Sequence, residues 1–290
     1  MGNATIDLER IDATFGAIVR GVQVRSLDAP TWAALHEAWL EYGLLIFPGQ
    51  FLTQDEQNAF ALRFGDLEFK ATPISNMGKD GQVHSEAGDD VVKSLRGNEG
   101  WHHDSTYMPV QAKGAVFSAE ICPTEGAATG FADMRAAYES LDEATKAKIA
   151  DLKAYHSLYY SQERAGYLPS KKNEQGGYNQ YGYHDGDPSL RPLVKVHPDT
   201  ARPNLLLGRH AYGIVGMDAD ESERFIDELN DFACQPPRIY HHQWQVGETV
   251  VWDNRRLMHQ ATPFDMTQPR RMWHTRIAGE RESELAVNYS

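Results

Sequence analysis

Cysteine, basic charge and long apolar runs are all scarce in this chain, and each shortage excludes something. Two cysteines, Cys122 and Cys234, lie far apart with no Cys-x-x-Cys between them. They cannot build a zinc cluster, and they point to a reducing compartment. Lys and Arg number 28 against 41 Asp and Glu, a net charge of −13. A nucleic-acid surface needs clustered Lys and Arg, so none is expected. An anionic small molecule stays possible, because a few local cations set the potential of one pocket. No segment reaches the roughly 18 apolar residues of a membrane span. The opening Met-Gly-Asn-Ala-Thr has no basic stretch leading into an apolar one. The expectation is a cytoplasmic protein that meets neither membrane nor nucleic acid.

What is present suits one large domain over residues 1–290, with 41% hydrophobic and 24% charged residues and no linker or repeat. Residues 13–24 read as a short strand pair. Asp28-Ala-Pro-Thr-Trp opens a helix with Trp32, Leu35, Trp39 and Leu40 at helical spacing to about Tyr42. Leu44–Phe47 reads as a buried strand. Thr53, with Glu56 three residues on, is a capping box for a helix reaching Phe64. Strands are expected at 114–121, 190–196, 204–208, 243–253 and 270–277, with helices over 134–152 and 218–234. Two irregular inserts, about 66–100 and 159–190, carry scattered Gly, Asn, Asp and Tyr, the composition of loops that border an active site. The pattern predicts a mainly β protein with helices, a sandwich or barrel core decorated by helices.

Chemistry concentrates at Trp101-His102-His103-Asp104-Ser105-Thr106-Tyr107. On a strand His102 and Asp104 point one way and His103 the other. With 12 histidines in the chain, about one His-x-Asp is expected by chance, so the pair needs company. Downstream stand His259 and, a dozen residues on, Pro269-Arg270-Arg271. Two His and one carboxylate can form the facial triad of non-haem Fe(II) sites, leaving three positions open. A 2-oxo acid can chelate two, O2 can take the third, and an Arg matches the far carboxylate in a bidentate way.

On Trp101-His102-His103-Asp104, Gly126-Ala-Ala-Thr129, Trp252-Asp253-Asn254-Arg255, His259 and Pro269-Arg270-Arg271, the chain resembles the taurine dioxygenase / 2,4-dichlorophenoxyacetate dioxygenase family of Fe(II)- and 2-oxoglutarate-dependent oxygenases. The likeness covers nearly all of the chain. Within the family it is most similar to bacterial aryloxyalkanoate dioxygenases acting on (S)-phenoxypropionates, through Asp104-Ser-Thr-Tyr-Met-Pro, Ala132-Asp-Met-Arg-Ala-Ala-Tyr138, Arg191-Pro-Leu-Val-Lys-Val-His-Pro198 and Met272-Trp-His-x-Arg-x-Ala-Gly279. The resemblance implies a double-stranded β-helix, or jelly roll. It implies that His102, Asp104 and His259 hold Fe(II). Thr129 and Arg270 would bind 2-oxoglutarate, with Arg276 on the same strand face as the reserve anchor. In taurine dioxygenase a second Arg, four residues after the first, binds the sulfonate. Here that position is His274, a departure that weighs against taurine. The implied reaction spends O2 and 2-oxoglutarate, releases succinate and CO2, and hydroxylates the carbon beside an ether oxygen. The product then collapses to a phenol and a 2-oxo acid.

For a small anionic aromatic substrate the chain offers the Ser105 backbone N–H, His274, Arg276 and Lys93 to the anion, and the surroundings of Ile74 and Tyr159 to the ring. Several conspicuous residues have plainer readings. His103 and His197 are expected to be structural, and the adjacent His241 and His242 to point apart on a strand. Asp253 and Asn254 are expected to satisfy backbone groups at a strand-to-turn junction. Arg271 should face solvent or a partner chain, and Trp101, Tyr107 and Trp252 should be core. Two alternatives stay open: a relative acting on another small carboxylate or a sulfonate such as taurine, and a non-catalytic cupin-like metal-binding protein. A homo-oligomer is expected.

Overall fold

The structure is a computed structural model that describes residues 6–170, 178 and 181–290. The chain begins with an antiparallel pair, β1 (Asp7–Arg10) and β2 (Ala17–Arg20). Helix α1 (Ala29–Tyr42) starts where the Asp28 side chain accepts from the Thr31 N–H, and it stops at Gly43, whose φ of 74° is a left-handed cap. After β3 (Leu44–Phe47), α2 (Gln54–Ala61) opens on the expected Thr53–Glu56 capping box. Then come β4 (Leu67–Ser75), α3 (Asp90–Gly97), β5 (Gly114–Ile121), β6 (Thr129–Asp133) and two short helices, α4 (Met134–Glu139) and α5 (Glu143–Ile149). The middle of the chain adds β7 (Lys153–His156), α6 (Leu158–Ala165), β8 (Ser189–Pro192), β9 (Val194–Val196), β10 (Pro203–Leu205), β11 (Ala211–Tyr212) and α7 (Ala219–Ala233). It closes with β12 (Ile239–His242), β13 (Thr249–Asp253), β14 (Leu257–Ala261), β15 (Arg271–Ile277) and α8 (Arg281–Glu284). No helix among the described residues is long and apolar enough to cross a membrane.

The result is a mixed α/β fold with several sheets. The largest has the order β1-β2-β3-β13-β5-β15-β4, and a three-stranded sheet has the order β12-β6-β14. Alternation sorts the large sheet's side chains. Leu45 and Phe47 of β3, Val116 of β5, Val251 of β13 and Ile277 of β15 pack under α1 and α2 against Trp39, Phe60 and Phe64. Their neighbours Leu44, Ile46, Ala115, Phe117, Val250, Trp252 and Met272 form the other layer, which meets Phe131 and Leu257 of the smaller sheet. His274 and Arg276 share the parity of Met272, so they fall on this second face. In β14, Met258 turns into a separate core with Met134, Leu207 and Leu229, which leaves its neighbour His259 on the opposite face.

Three expectations change. The stretch 66–100 is not irregular: it holds β4 and α3. β4 is an edge strand, mostly half-buried or exposed, and its pairing with β15 is interrupted by two register shifts. Both features erase the clean alternation that marks a strand. The first strand pair lies at 7–10 and 17–20 rather than within 13–24. In the second insert, residues 158–165 form α6, whereas 171–177, 179 and 180 lie outside the described residues.

One buried ion pair ties α4 to the C-terminal strands. Asp133 accepts from Arg256 Nε at 3.0 Å and Nη2 at 2.7 Å, from Thr14 Oγ1, and from the N–H groups of Arg135 and Ala136 as the α4 cap. Burial pushes its carboxyl pKa up, but Arg256 outweighs burial and the net direction is down. Asp133→Ala should therefore cost about 3–5 kcal/mol in urea unfolding, because Arg256 is left buried without its carboxylate, held only by the Glu41 carbonyl. A depressed folded pKa gives stability that is full above about pH 4 and is lost as pH falls, so the variant should also lose less on acidification. A loss below about 1 kcal/mol would contradict this role.

Candidate metal centre

Two backbone hydrogen bonds build the site. His102 N–H donates to the His259 carbonyl at 2.9 Å, and His259 N–H donates to the His102 carbonyl at 2.8 Å. Residues directly opposite in an antiparallel pair send their side chains to the same face. The two imidazoles accordingly lie with centroids 4.3 Å apart. The pairing is a single bridge, not a full strand. Beyond it the chain turns at once, with Ser105 at φ 56°, and it is this turn that swings Asp104 beside the histidines. Gly208 packs on the same spot. Its φ is 107°, and a Cβ there would come within 3.0 Å of the His102 Cα.

The ligand atoms of His102, Asp104 and His259 lie within 4.8 Å of one another, and all three residues are buried. His102 Nδ1 donates to the Gly100 carbonyl at 2.7 Å, which fixes the tautomer and leaves the Nε2 lone pair facing the site. Burial holds both histidines well below the ordinary imidazole pKa, so they are neutral, as ligands must be. Burial works against the Asp104 carboxylate, but the Arg276 guanidinium beside it prevails and its pKa is lowered. Asp104 Oδ2 has no hydrogen-bond partner. Neutral imidazoles, one ionised carboxylate and an unpartnered oxygen in one buried cluster fit a divalent metal with open positions.

The main chain of Asp104 is held by an amide that composition alone does not reveal. Asn254 Oδ1 accepts from Asp104 N–H at 2.7 Å, and its Nδ2 donates to the carbonyls of Asp104 and Ala112. Asn254 thus stands in for a strand neighbour. His103 points away and hydrogen-bonds through Nδ1 with the Asn254 carbonyl. Asp253 is taken by Arg255 and His197.

The triad opens into a pocket lined also by Ile74, Phe117, Thr129, Trp252, Phe264, Arg270, His274 and Arg276. Arg270 is buried between the rings of Phe117 and Phe264, its Nε without a partner, and burial lowers its pKa to about 10. Thr129 Oγ1 accepts from Trp244 Nε1 at 2.9 Å, a contact no local pattern announces. Arg271 points outward to Glu120. His274 stacks on Trp252 at 5.8 Å, its Nε2 3.6 Å from Asp104 Oδ2. Burial lowers its pKa to about 4, so it enters the cavity as a neutral ring.

Other expected substrate contacts are directed elsewhere. Lys93 does not line the cavity: its Nζ bonds Ser170 Oγ at 2.7 Å and lies 3.8 Å from Asp90. Ser105, offered for its backbone N–H, is fully buried and is not among the residues that line the cavity; its hydroxyl serves Glu68, Tyr181 and Arg276. Tyr159 packs on Tyr178 and Tyr183, away from the cavity. The positions were readable, but the partners were not, because each lies on an element remote in sequence.

Comparison with known proteins agrees with this geometry. Residues 7–276 match the model of the family described as taurine catabolism dioxygenase TauD, TfdA family. The chain is 58% identical over 282 residues to a (S)-phenoxypropionate/alpha-ketoglutarate-dioxygenase of Sphingobium herbicidovorans, covering 97% of this chain and 98% of that one. It is 53% identical over 292 residues to the protein of the same description from Delftia acidovorans, covering 98% of each. Among solved structures, AAD-2 in complex with Mn(II) and N-oxalylglycine superposes with a TM-score of 0.88 at 35% identity, over 99% of this chain and 100% of that one. With most of its length matched by the family model and by relatives above half identity, the chain belongs to the taurine catabolism dioxygenase TauD, TfdA family.

Proposed function

We propose that this chain is an Fe(II)- and 2-oxoglutarate-dependent dioxygenase that hydroxylates an aryloxyalkanoate, of phenoxypropionate or phenoxyacetate type, beside its ether oxygen. The observation that carries the reading is the shared cavity: the triad and the unpartnered Arg270 with Thr129 line the same space. The substrate class rests on the relatives at 58% and 53% identity, which act on phenoxypropionate by their descriptions. It rests also on His274, which stands at the position where taurine dioxygenase carries the Arg for its sulfonate.

In this reading His102, Asp104 and His259 hold the iron. Bound iron with 2-oxoglutarate supplies the O2-dependent oxidation of a C–H bond, coupled to release of succinate and CO2. The protein's part is placement. Arg270 and Thr129 take the far carboxylate of 2-oxoglutarate, and Phe117, Phe264 and Trp252 keep water from it. Ile74, Leu95 and Met266 give the ring an apolar wall, and His274 can donate from its free Nε2 to the substrate anion. The hydroxylated carbon then carries two oxygens, and the hemiketal or hemiacetal collapses to a phenol and a 2-oxo acid. We read the seven-stranded sheet and the β12-β6-β14 sheet as the two halves of a double-stranded β-helix, supported by the Phe131–Trp252 layer between them. The proposal takes 1–290 as one catalytic domain, a homo-oligomer in the cytoplasm, in keeping with two free cysteines.

Two measurements test the assignment. Arg270→Lys should raise the 2-oxoglutarate KM by about 10- to 100-fold, since the lost charge-assisted bonds are worth roughly 1.5–3 kcal/mol, whereas Arg271→Lys should change it less than about twofold. Equal effects would remove the basis for choosing Arg270. Succinate release followed across aryloxy acids and sulfonates should give a higher kcat/KM for a phenoxypropionate, with stoichiometric phenol, than for taurine. A taurine preference would end the substrate assignment, and no succinate with any substrate would favour the non-catalytic reading.

A further inference from the structure

Arg276 was expected to meet an anionic ligand, and the structure gives it other work. Its Nη2 donates to Asp104 Oδ1 at 2.7 Å and its Nη1 to Ser105 Oγ at 3.0 Å. The guanidinium lies near two rings, 4.8 Å from the centroid of Phe69 and 5.3 Å from that of Tyr181. Glu68 stands beside it: its Oε2 is 3.9 Å from Arg276 Nε and accepts from Ser105 Oγ, while its Oε1 accepts from the Tyr181 hydroxyl. The fold is irregular just here. β15 pairs Arg276 with Phe69 and Ile277 with Leu67, so Glu68 is the extra, unpaired residue of a bulge. Bulges re-aim side chains, and this one supplies the carboxylate that completes the Arg276 surroundings.

We infer that Arg276 is a positioning residue for Asp104. It occupies Oδ1 and leaves Oδ2, 3.7 Å from His259 Nε2, as the oxygen available to a metal. A carboxylate free at both oxygens can rotate or chelate through both, which would consume a position the reaction needs for a co-substrate. A guanidinium bonded to Oδ1 and to the next residue's hydroxyl blocks both motions. Asn254 holds the main chain of Asp104 and Arg276 holds its carboxylate, so the ligand is fixed at both ends. Groups of this kind, one bond behind a metal ligand, are typically worth 10- to 100-fold in metal affinity.

The inference rests on the metal reading above, and the test separates the two. Co(II) is titrated anaerobically into the metal-free full chain, without 2-oxoglutarate or substrate, and followed by its visible absorption. Wild type should bind one equivalent. Arg276→Met should weaken binding by about 10- to 100-fold and change the intensity of the visible band, as the second carboxylate oxygen becomes available. Arg276→Lys should fall between, because an ammonium keeps the charge but cannot span Asp104 and Ser105 together. Should the methionine variant lack a thermal unfolding transition before metal is added, the lysine variant decides alone. Wild-type affinity and band shape in the folded variants, whatever happens to the substrate KM, would overturn the role of Arg276. Failure of wild type to bind Co(II) would overturn the metal reading itself, and this inference with it.

Discussion

The site depends on one backbone pairing, the two reciprocal hydrogen bonds between His102 and His259. They bring together residues from opposite halves of the chain and set both imidazoles on one face without any side-chain contact having to hold them. Everything else at the centre is arranged around that pair. The turn after His102 delivers Asp104, Met258 anchors His259 from behind in the α4–α7 core, and Phe131, directly across β6 from His259, fills the layer beneath. An error in any one of these contacts would separate the ligand atoms, so the metal geometry is a property of the packed sheets.

Burial does the electrostatic work. It keeps His102 and His259 neutral, and it makes an unpaired carboxylate so costly that Asp104 must be compensated by a cation. The same burial explains a division of labour between two arginines that line one cavity. Arg276 is engaged by Asp104 and Ser105 through both terminal nitrogens and leaves only its Nε unpartnered, whereas the Arg270 guanidinium makes no hydrogen bond among the described residues and sits in a wall of aromatic rings. An unsatisfied buried guanidinium is expensive unless a ligand completes it, which is why Arg270 is the group in the cavity best suited to a carboxylate.

Local signals carried the local features. The Asp28 and Thr53 caps, the strand at 114–121 and the helix within 218–234 were legible because their determinants sit within a few residues of each other. Motif spacing likewise marked His102, Asp104 and His259 for a metal and an Arg beyond them for a carboxylate, the family resemblance added Thr129 and singled out Arg270 for the co-substrate, and all five line one cavity. What escaped depends on partners distant in the chain. β4 was hidden by its edge position and bulges, and Lys93 and Tyr159 were offered to a substrate although each has its own partners. The Asn254 amide, the Trp244 N–H on Thr129 and the Arg276 bond to Asp104 all join elements that only the folded sheets bring near. Residue type says that such groups need partners; only topology says which.

The central claim is that His102, not its neighbour His103, belongs to the metal site, because the bridge to His259 turns one inward and the other toward the Asn254 carbonyl. Anaerobic addition of Fe(II) and 2-oxoglutarate should produce a visible charge-transfer absorption in the wild type and in His103→Ala, and none in His102→Ala. Loss of the band in the His103 variant with retention in the His102 variant would contradict the account.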